Sequence, residues 1–526
     1  MLASLAWLSL LTQTDWPVTT AESSNYQATS TYADVVRFCE SLKAKCPELR
    51  LDFIGETEKQ VRIPLVTLSF PPVASRAEAR KLGRPVVYIQ ANIHAGEVEG
   101  KEAILEVLRK LVQDGPKGLA GRMVVVVTPI YNIDGNEQFG PVEKNRPEQD
   151  GPLMVGVRAN GQGLDLNRDA MKAVSHEMRA VLKSVYVPWE PDVMMDLHTT
   201  DGTRHGYDLT YLAPTHPGGE PSVYGYGLNV LSPTLERKMA KLGTPIFPYG
   251  NLETIKGKPA WLTTGPEGRY CTNYVGLRNR LALLSEAATY IPFKDRIEVT
   301  KKFVWSTLSF VDENRKRLIQ LFDQADARVA AWGNHPDRAP ALAIRTELEA
   351  VRNTKLPVED LGPGEPRPLT GRPKKIKFLD VPSCDRFKAT RTAKFPAGYV
   401  LPASATPVVE LLRRHGIRVE RVSALANLDT TFYRLTEWVT AARPFQNRRL
   451  VRLEGTWETA SARVEQGEFV VRTNQPLGVL AFHLLEPESI DGVIAWGLFS
   501  ETRPPGSFAP VRKLMSPPKI QSTPVE

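Results

Sequence analysis

The sequence is poor in cysteine, with four among 526 residues, at Cys39, Cys46, Cys271 and Cys384. None of them forms a Cys-x-x-Cys pair, which argues against a disulfide framework and against a cysteine-rich metal site. A bridge between Cys39 and Cys46 stays open for an exported protein, and buried free thiols are the alternative. The cysteines therefore do not indicate the compartment of the protein.

Long apolar runs and blocks of like charge are also scarce. The run at residues 1–12, MLASLAWLSLLT, is too short to cross a bilayer as a helix, and we expect no membrane span elsewhere. This run and the small residues near Ala21 suggest a weak export signal within residues 1–25, although the usual positive start is missing and a buried N-terminal segment is the alternative. We expect a secreted or periplasmic protein, with a cytoplasmic one left open.

The net charge of 67 − 59 = +8 is spread along the chain, so we expect a solvated surface and no nucleic-acid partner. Oligomeric state is not readable. The 42% hydrophobic and 24% charged residues are ordinary for a soluble chain with two or three domains.

Between residues 26 and 335, helix-like stretches alternate with apolar strand-like stretches such as RPVVYIQA and RMVVVVTPIY. This alternation predicts an α/β fold with a mostly parallel or mixed central sheet and helices on both faces. The pattern changes near residue 335, and the Pro- and Gly-rich LGPGEPRPLTGRPKK follows. Shorter strand-like stretches beyond it predict a C-terminal α+β or β-rich accessory domain over residues 336–526.

Two strand-like runs end in residues that can bind a metal. His94 and Glu97 follow the first run, where we expect them in a loop and the first turn of a helix; His198 ends a second run, DVMMDLHTT. Carboxyl ends of parallel strands meet at one edge of a sheet. The three residues would then form a two-His, one-Glu set with an open fourth position, as in catalytic zinc sites. Asp196 is a candidate to orient His198, and a structural ion pair is an equal alternative.

Further candidates follow the same logic. Glu286 ends the apolar run RLALLSEAA, where an acid is costly unless paired or used, so we interpret it as a general base, with a helix-start glutamate as the alternative. Asn167 and Arg168 in GLDLNRDA could bind a carboxylate, because the arginine fork suits bidentate contact. Arg158 and Arg146 could each face an oxyanion.

Taken in order, HAGE, DLNR, DLH and LLSEA resemble the motifs of the zinc metallocarboxypeptidases of the carboxypeptidase A type. YNIDGNE resembles that family's Asn-Pro-Asp-Gly turn, with Ile133 in place of proline, and the resemblance covers about residues 30–300. It implies one zinc ion per chain and assigns roles to six residues: zinc is held by His94, Glu97 and His198, Glu286 is general base and acid, and Asn167 and Arg168 hold the substrate's terminal carboxylate.

The resemblance leaves two roles open. Arg158, nine residues before Asn167, resembles the electrophilic arginine of cytosolic-carboxypeptidase-like relatives, and Arg146 is the alternative. The substrate-closing tyrosine could be Tyr270 or Tyr274. Family members often carry a β-rich domain after the catalytic one, and LAFHLLEPESIDGVIAWG resembles the tail of large bacterial exported members.

We therefore expect a zinc exopeptidase that removes a C-terminal residue from peptides with a free terminal carboxylate. Deacylation of N-acyl amino acids, or cleavage of cell-wall peptides, would use the same metal site on another substrate. A binding or scaffold protein built on an inactive enzyme fold is the third reading. The preference for the terminal side chain has no signature in the sequence.

Overall fold

A computed structural model describes residues 16–362, 364–499 and 502–525. Its strands, in chain order, are β1 (Arg50–Glu56), β2 (Arg62–Leu68), β3 (Val86–Ala91), β4 (Val124–Thr128), β5 (Val193–Thr200), β6 (Leu209–Leu212), β7 (Phe247–Pro248), β8 (Asn251–Ile255), β9 (Lys258–Leu262), β10 (Leu281–Ala288), β11 (Ala341–Glu349), β12 (Arg352–Glu359), β13 (Ile376–Cys384), β14 (Arg386–Lys394), β15 (Gly398–Leu401), β16 (Glu420–Val422), β17 (Ala426–Thr440), β18 (Val451–Val464), β19 (Phe469–Arg472), β20 (Arg512–Leu514) and β21 (Ser522–Pro524). A further two-residue pair joins Gly140–Pro141 to Met154–Val155.

The main helices are α1 (Thr20–Ser23), α2 (Tyr32–Lys45), α3 (Glu99–Asp114), α4 (His176–Val181), α5 (Pro221–Tyr226), α6 (Ser232–Lys241), α7 (Cys271–Leu277), α8 (Phe293–Asn334), α9 (Thr406–Arg414) and α10 (Gly478–Leu485). Shorter helical segments lie at Arg76–Lys81, Ile133–Asn136, Val142–Asn145, Leu166–Arg168, Leu182–Tyr186, Val187–Trp189 and Gly227–Leu231. Within the described ranges, no helix combines the length and apolar content needed to cross a membrane.

An eight-stranded mixed sheet forms the centre, in the order β1-β2-β4-β3-β5-β10-β6-β7. Its middle four strands, β4, β3, β5 and β10, are parallel, and β1, β2 and β6 add antiparallel neighbours. Parallel strands are apolar on both faces because helices cover both sides of the sheet. The predicted α/β class with a mixed central sheet is confirmed.

The strand β3 shows why its sequence is continuously apolar. Val86 and Tyr88 pack into the core on one face of the sheet, and Val87 and Ile89 pack into the core on the other. Successive side chains of a strand point to opposite faces, so a strand buried on both sides needs an apolar residue at nearly every position.

The region after α8 takes part in three further sheets, one of which also contains β8 and β9 from before that helix. One is four-stranded (β8-β9-β13-β12), one pairs β11 with β14, and the largest is seven-stranded, in the order β18-β17-β20-β15-β19-β16-β21. The chain therefore becomes β-rich after Asn334. Its core is continuous with that on one face of the central sheet, since Phe395 and Tyr399 share a buried cluster with Tyr88 and Met194.

The first described residues pack on the rest of the chain. Ala21 in α1 is fully buried, and Glu22 accepts hydrogen bonds from both terminal nitrogens of Arg109, at 2.5 and 2.8 Å. The apolar run of the suggested export signal, residues 1–12, lies outside the described residues. All four cysteines are buried free thiols, so Cys39 and Cys46 are not bridged here.

Candidate active site

His94 and Glu97 stand on a loop that leaves the carboxyl end of β3. Asn92 turns the chain there with a positive φ of 64°, and its side-chain amide donates to the carbonyls of Ala95 and Glu97, each at 3.2 Å. The helix α3 begins only at Glu99. The expectation that this pair reaches into the first helical turn is therefore wrong: both side chains are held by the loop.

Glycine is required beside this loop for close approach. A Cβ at Gly96 would lie 2.8 Å from the Cδ of Arg146 and 3.1 Å from the carbonyl oxygen of Gly156. One at Gly100 would lie 2.7 Å from the Cβ of Leu197, in β5. The small residues in HAGEVEG thus let the loop and the start of α3 pack directly against their neighbours.

Three side chains converge at this edge of the sheet. The Nδ1 atom of His94 lies 2.9 Å from Oε1 of Glu97, and the Nδ1 atom of His198 lies 3.0 Å from Oε2 of the same carboxylate. One ligand atom from each residue falls within 4.8 Å of the others, and all three side chains are buried. Two imidazole nitrogens and a carboxylate are ordinary zinc donors, so this set fits the metal that the sequence predicts.

The outer nitrogens of both histidines face aspartates. Nε2 of His94 is 3.1 Å from Oδ1 of Asp165. Nε2 of His198 is 2.9 Å from Oδ2 of Asp196, an ion-pair distance at angles outside those of a hydrogen bond. A carboxylate on the far ring nitrogen fixes the tautomer and leaves Nδ1 for a metal.

The central carboxylate is held ionised. Burial opposes this, yet His94, His198 and Arg146 together keep the pKa of Glu97 well below its ordinary value. The backbone amide of Thr199 also donates to Oε2 of Glu97, at 3.1 Å. The site is therefore built around a negative charge, which is the state that a metal ligand needs.

Glu286 lies beside these residues because of strand register. It is paired with His198 across the parallel strands β5 and β10, and it lines the same cavity of about 340 Å³. Burial raises the pKa of the Glu286 carboxyl well above its ordinary value; Glu97 and Asp201 add to the rise, and His198 opposes it. The Glu286 carboxyl group therefore keeps its proton up to a higher pH than an ordinary glutamate does.

Asn167 and Arg168 line another wall of the cavity. Oδ1 of Asn167 accepts from the backbone amide of Cys271 at 3.0 Å, which ties it to the start of α7. The guanidinium carbon of Arg168 lies 4.3 Å from the ring centre of Tyr270, and Nη1 donates to the carbonyl of Asn167 at 2.9 Å. The arginine fork is therefore presented to the cavity by an aromatic support.

The two candidate oxyanion arginines occupy different places. Arg158 lines the cavity and donates from Nε and Nη2 to Oδ2 of Asp165, at 3.0 and 2.9 Å. Arg146 is more buried, with Nη1 at 3.3 Å from Oε1 of Glu97, and it is not among the described residues that line the cavity. This difference favours Arg158.

The two candidate tyrosines also lie in different surroundings. Tyr270 lines the cavity, whereas Tyr274 is fully buried, with its hydroxyl 2.8 Å from Nδ1 of His415 and accepting from Arg278 at 3.0 Å. Tyr274 therefore belongs to the packing between the central sheet and α9. His205, also considered as a pocket residue, instead lies against Tyr290 and Trp261.

Sequence reasoning missed several residues in and around the cavity. Asp201, Tyr249 and Thr264 line the cavity, and Asp165 holds His94 and Arg158 from outside. A signal for Asp165 was present, since it stands in DLNR two residues before Asn167. Tyr249 and Thr264 lie in a segment with no recognisable pattern.

Comparison with known proteins agrees with this geometry. Residues 35–186 match the sequence model of the family described as zinc carboxypeptidase. The chain is a metallopeptidase, a hydrolase of peptides whose cofactor is Zn²⁺. The matched region contains His94, Glu97, Asn167 and Arg168.

Individual relatives are distant. Carboxypeptidase 2 of Trichophyton rubrum is 24% identical over 439 residues, covering 78% of this chain and 73% of the relative. Carboxypeptidase 2 of Trichophyton equinum is 22% identical over 431 residues, with the same coverage. Among solved structures, a metallo-carboxypeptidase from Burkholderia cenocepacia aligns with 54% of this chain and 70% of its own, at 16% identity and a TM-score of 0.40. One from Pseudomonas aeruginosa, in complex with (2-guanidinoethylmercapto)succinic acid, aligns with 54% and 68%, at 16% identity and a TM-score of 0.39.

Proposed function

We propose that this protein is a zinc carboxypeptidase that hydrolyses the C-terminal peptide bond of peptides with a free terminal carboxylate. One observation carries the proposal: a single cavity is lined by the three metal-binding candidates, by Glu286 and by the Asn167–Arg168 pair. The names of the fungal relatives, carboxypeptidase 2, support the same activity.

In this proposal His94, Glu97 and His198 hold one zinc ion per chain. When bound, zinc supplies Lewis-acid activation of the attacking water and of the scissile carbonyl. The aspartates behind the two histidines, Asp165 and Asp196, keep both Nδ1 atoms directed inward.

Glu286 acts as general base and then as general acid. Its carboxylate takes a proton from the attacking water and later delivers it to the leaving amine. Its support is the strand pairing, which fixes the carboxyl group beside His198 on a rigid element of the sheet. A raised pKa brings the group closer to the working pH, where proton transfer in both directions is efficient.

Arg168 and Asn167 select the substrate end. Arg168 forms paired hydrogen bonds with the terminal carboxylate, which fixes the scissile bond relative to Glu286. Arg158, on the metal side of the cavity, donates to the oxyanion that develops on the carbonyl. Asp165 pre-orients that guanidinium through two contacts.

The wider organisation is part of the proposal. We assign the catalytic domain to residues 26–335 and an accessory domain to residues 336–526, on the grounds that α8 ends at Asn334 and that two of the later sheets contain only strands beyond it. The four-stranded sheet joins the two proposed domains, because β9 pairs with β13. We also propose export, on the basis of the apolar residues 1–12. N-terminal sequencing of the protein from its own cells tests the location of any processing site.

The function is tested with a peptide pool in which each sequence occurs with a free and with an amidated C-terminus. The purified protein is incubated with zinc, and the products are identified by mass spectrometry. Loss of single C-terminal residues from the free acids alone is the expected result. Equal cleavage of both sets would contradict the carboxylate clamp, and cleavage of neither would redirect the assay to N-acyl amino acids and cell-wall peptides.

A further inference from the structure

A hairpin of the C-terminal region reaches the metal site. Residues 441–450 connect β17 to β18, and their tip is closed by paired backbone hydrogen bonds between Phe445 and Arg448, at 2.7 and 3.0 Å. The two residues at the apex, Gln446 and Asn447, have φ values of 49° and 60°. Two successive residues in the left-handed region make a tight turn of fixed shape.

The side chain of Gln446 binds the backbone of Asp165. Its Oε1 accepts a hydrogen bond from the amide nitrogen of Asp165 at 2.9 Å, across 281 positions of sequence. Gln446 therefore contacts Asp165 directly, and Asp165 is the aspartate that faces Nε2 of His94.

Asp165 organises several site residues at once. One carboxylate oxygen lies 3.1 Å from Nε2 of His94 and accepts from the amide of Asn167 at 2.9 Å. The other accepts both hydrogen bonds from Arg158. A shift of the Asp165 backbone would therefore move a metal-binding histidine and the oxyanion candidate together.

The tip is anchored independently of this contact. Phe445 stacks on Trp496 with ring centres 6.2 Å apart, and the guanidinium of Arg269 lies 5.2 Å from the ring centre of Phe445. Arg269 is held by Asp491 through its backbone amide and its side chain, both at 2.7 Å. The hairpin tip is thus held by contacts other than that of Gln446, which is the condition for one side chain to position another.

We propose that Gln446 is a positioning residue of the zinc site, through which the C-terminal region holds Asp165 and therefore His94 in the metal-binding orientation. The inference rests on the proposed function for its kinetic consequences, but its effect on zinc binding is independent of them. It gives the accessory region a specific task at the catalytic centre.

Two neighbouring substitutions make a matched test. Gln446→Gly removes the acceptor, and Asn447→Gly removes the adjacent side chain, which makes no hydrogen bond within the described part of the chain. Glycine suits the positive φ of both positions, so neither variant strains the turn. Gln446→Glu is the conservative variant, because its carboxylate can still accept from Asp165.

Zinc affinity is measured in the full-length chain by competition with a chromophoric chelator. Gln446→Gly is expected to weaken zinc binding severalfold, less than the roughly 10- to 100-fold loss typical of removing an outer partner of a metal ligand, because Gln446 acts through Asp165. Asn447→Gly should match the wild type, and Gln446→Glu should recover most of the lost affinity. Equal zinc affinity in Gln446→Gly and Asn447→Gly would overturn the proposal, as would a loss that Gln446→Glu does not restore.

Kinetics and thermal unfolding complete the test. With saturating zinc, Gln446→Gly is expected to lower kcat with little change in KM, since the contact reaches the metal side of the cavity and not the carboxylate clamp. An equal fall in the midpoint of unfolding for both glycine variants, without a difference in zinc affinity, would show a purely structural turn. If the wild type binds zinc but cleaves no peptide, the proposed function fails while the affinity ratio still decides the role of Gln446.

Discussion

Glu286 stands directly across from His198 in the register of two parallel strands, β10 and β5. Because the strands pair residue by residue from Leu281 with Val193 onward, the position of the carboxyl group is set by the sheet rather than by a loop. A catalytic group on a strand is held more firmly than one on a loop. The proposed base and one proposed metal ligand are therefore placed relative to each other by backbone hydrogen bonds.

Replacing this carboxyl group separates catalysis from metal binding. Glu286→Gln should reduce kcat by about 10²–10⁴-fold, the usual contribution of a general acid–base group. Zinc content should stay at one ion per chain, because Glu286 is not in the ligand set. Steady-state kinetics and elemental analysis of the same preparation measure both. The exposed Glu253→Gln is the control, and turnover at the wild-type rate in Glu286→Gln would refute the assignment.

The carboxylate clamp makes a prediction about substrate choice. Arg168→Ala should lower kcat/KM for free-acid peptides by about 10- to 100-fold, the loss expected for a hydrogen bond to a charged group. Amidated peptides, which offer no carboxylate, should be affected far less, so the preference for free acids should shrink. Arg168→Lys keeps the charge but loses the paired donors of the guanidinium. Its preference for free acids should therefore lie between those of the wild type and Arg168→Ala.

Competition between matched free and amidated peptides measures that preference directly. Arg413→Ala changes an exposed arginine on α9 and serves as the control. A preference for free acids that survives unchanged in Arg168→Ala would assign the terminal carboxylate to another group.

The aspartates behind the histidines should tune the metal. Asp165→Asn and Asp196→Asn are each expected to weaken zinc binding by about 10- to 100-fold. Asp165→Asn should also lower kcat at saturating zinc, because Arg158 loses the carboxylate that accepts two of its hydrogen bonds. Chelator competition and kinetics separate these effects. Unchanged zinc affinity in both variants would mean that the histidines are oriented by their surroundings alone.

A buried glutamate away from the cavity predicts a pH-dependent stability. Burial raises the pKa of Glu177 to about 7 from a reference value of 4.5, and Oε2 accepts one hydrogen bond from Asn160 at 3.0 Å. The folded protein therefore binds this proton more tightly than the unfolded chain. The free energy of unfolding should fall as the pH rises from 4.5 to 7, by roughly 3 kcal/mol.

The glutamine in Glu177→Gln cannot ionise, so its contribution to the free energy of unfolding should not change between pH 4.5 and 7. Urea unfolding at pH 5 and pH 8 should show the variant gaining stability over the wild type at the higher pH. An identical pH dependence in both proteins would show that Glu177 has an ordinary pKa.

The placement of the central groups could be predicted because each stands at or near the end of an apolar run. His94, His198 and Glu286 all follow this rule, and parallel pairing brings such ends together. These apolar runs could be recognised in the sequence because both faces of the sheet are buried, so the strands contain few polar residues. What the runs could not predict was the loop conformation: Asn92 ends β3 with a positive φ and keeps Glu97 outside the helix.

Contacts between residues far apart along the chain could not be predicted from the sequence. Asp165 lies 71 residues from His94, and Gln446 lies 281 residues from Asp165. Neither pairing has a spacing rule, because both arise from loops packed against each other. Tyr270 and Tyr274 also could not be separated by pattern; four residues apart, one lines the cavity and the other binds His415.

The central claim is that one zinc ion at this site drives release of a C-terminal residue. Its most direct test is a titration of the metal-free protein with zinc while the release of the terminal residue from one free-acid peptide is followed. Activity should rise in proportion to zinc up to one equivalent per chain and then level off, and His198→Ala should stay inactive throughout. Full activity in the chelated, metal-free protein would contradict the account.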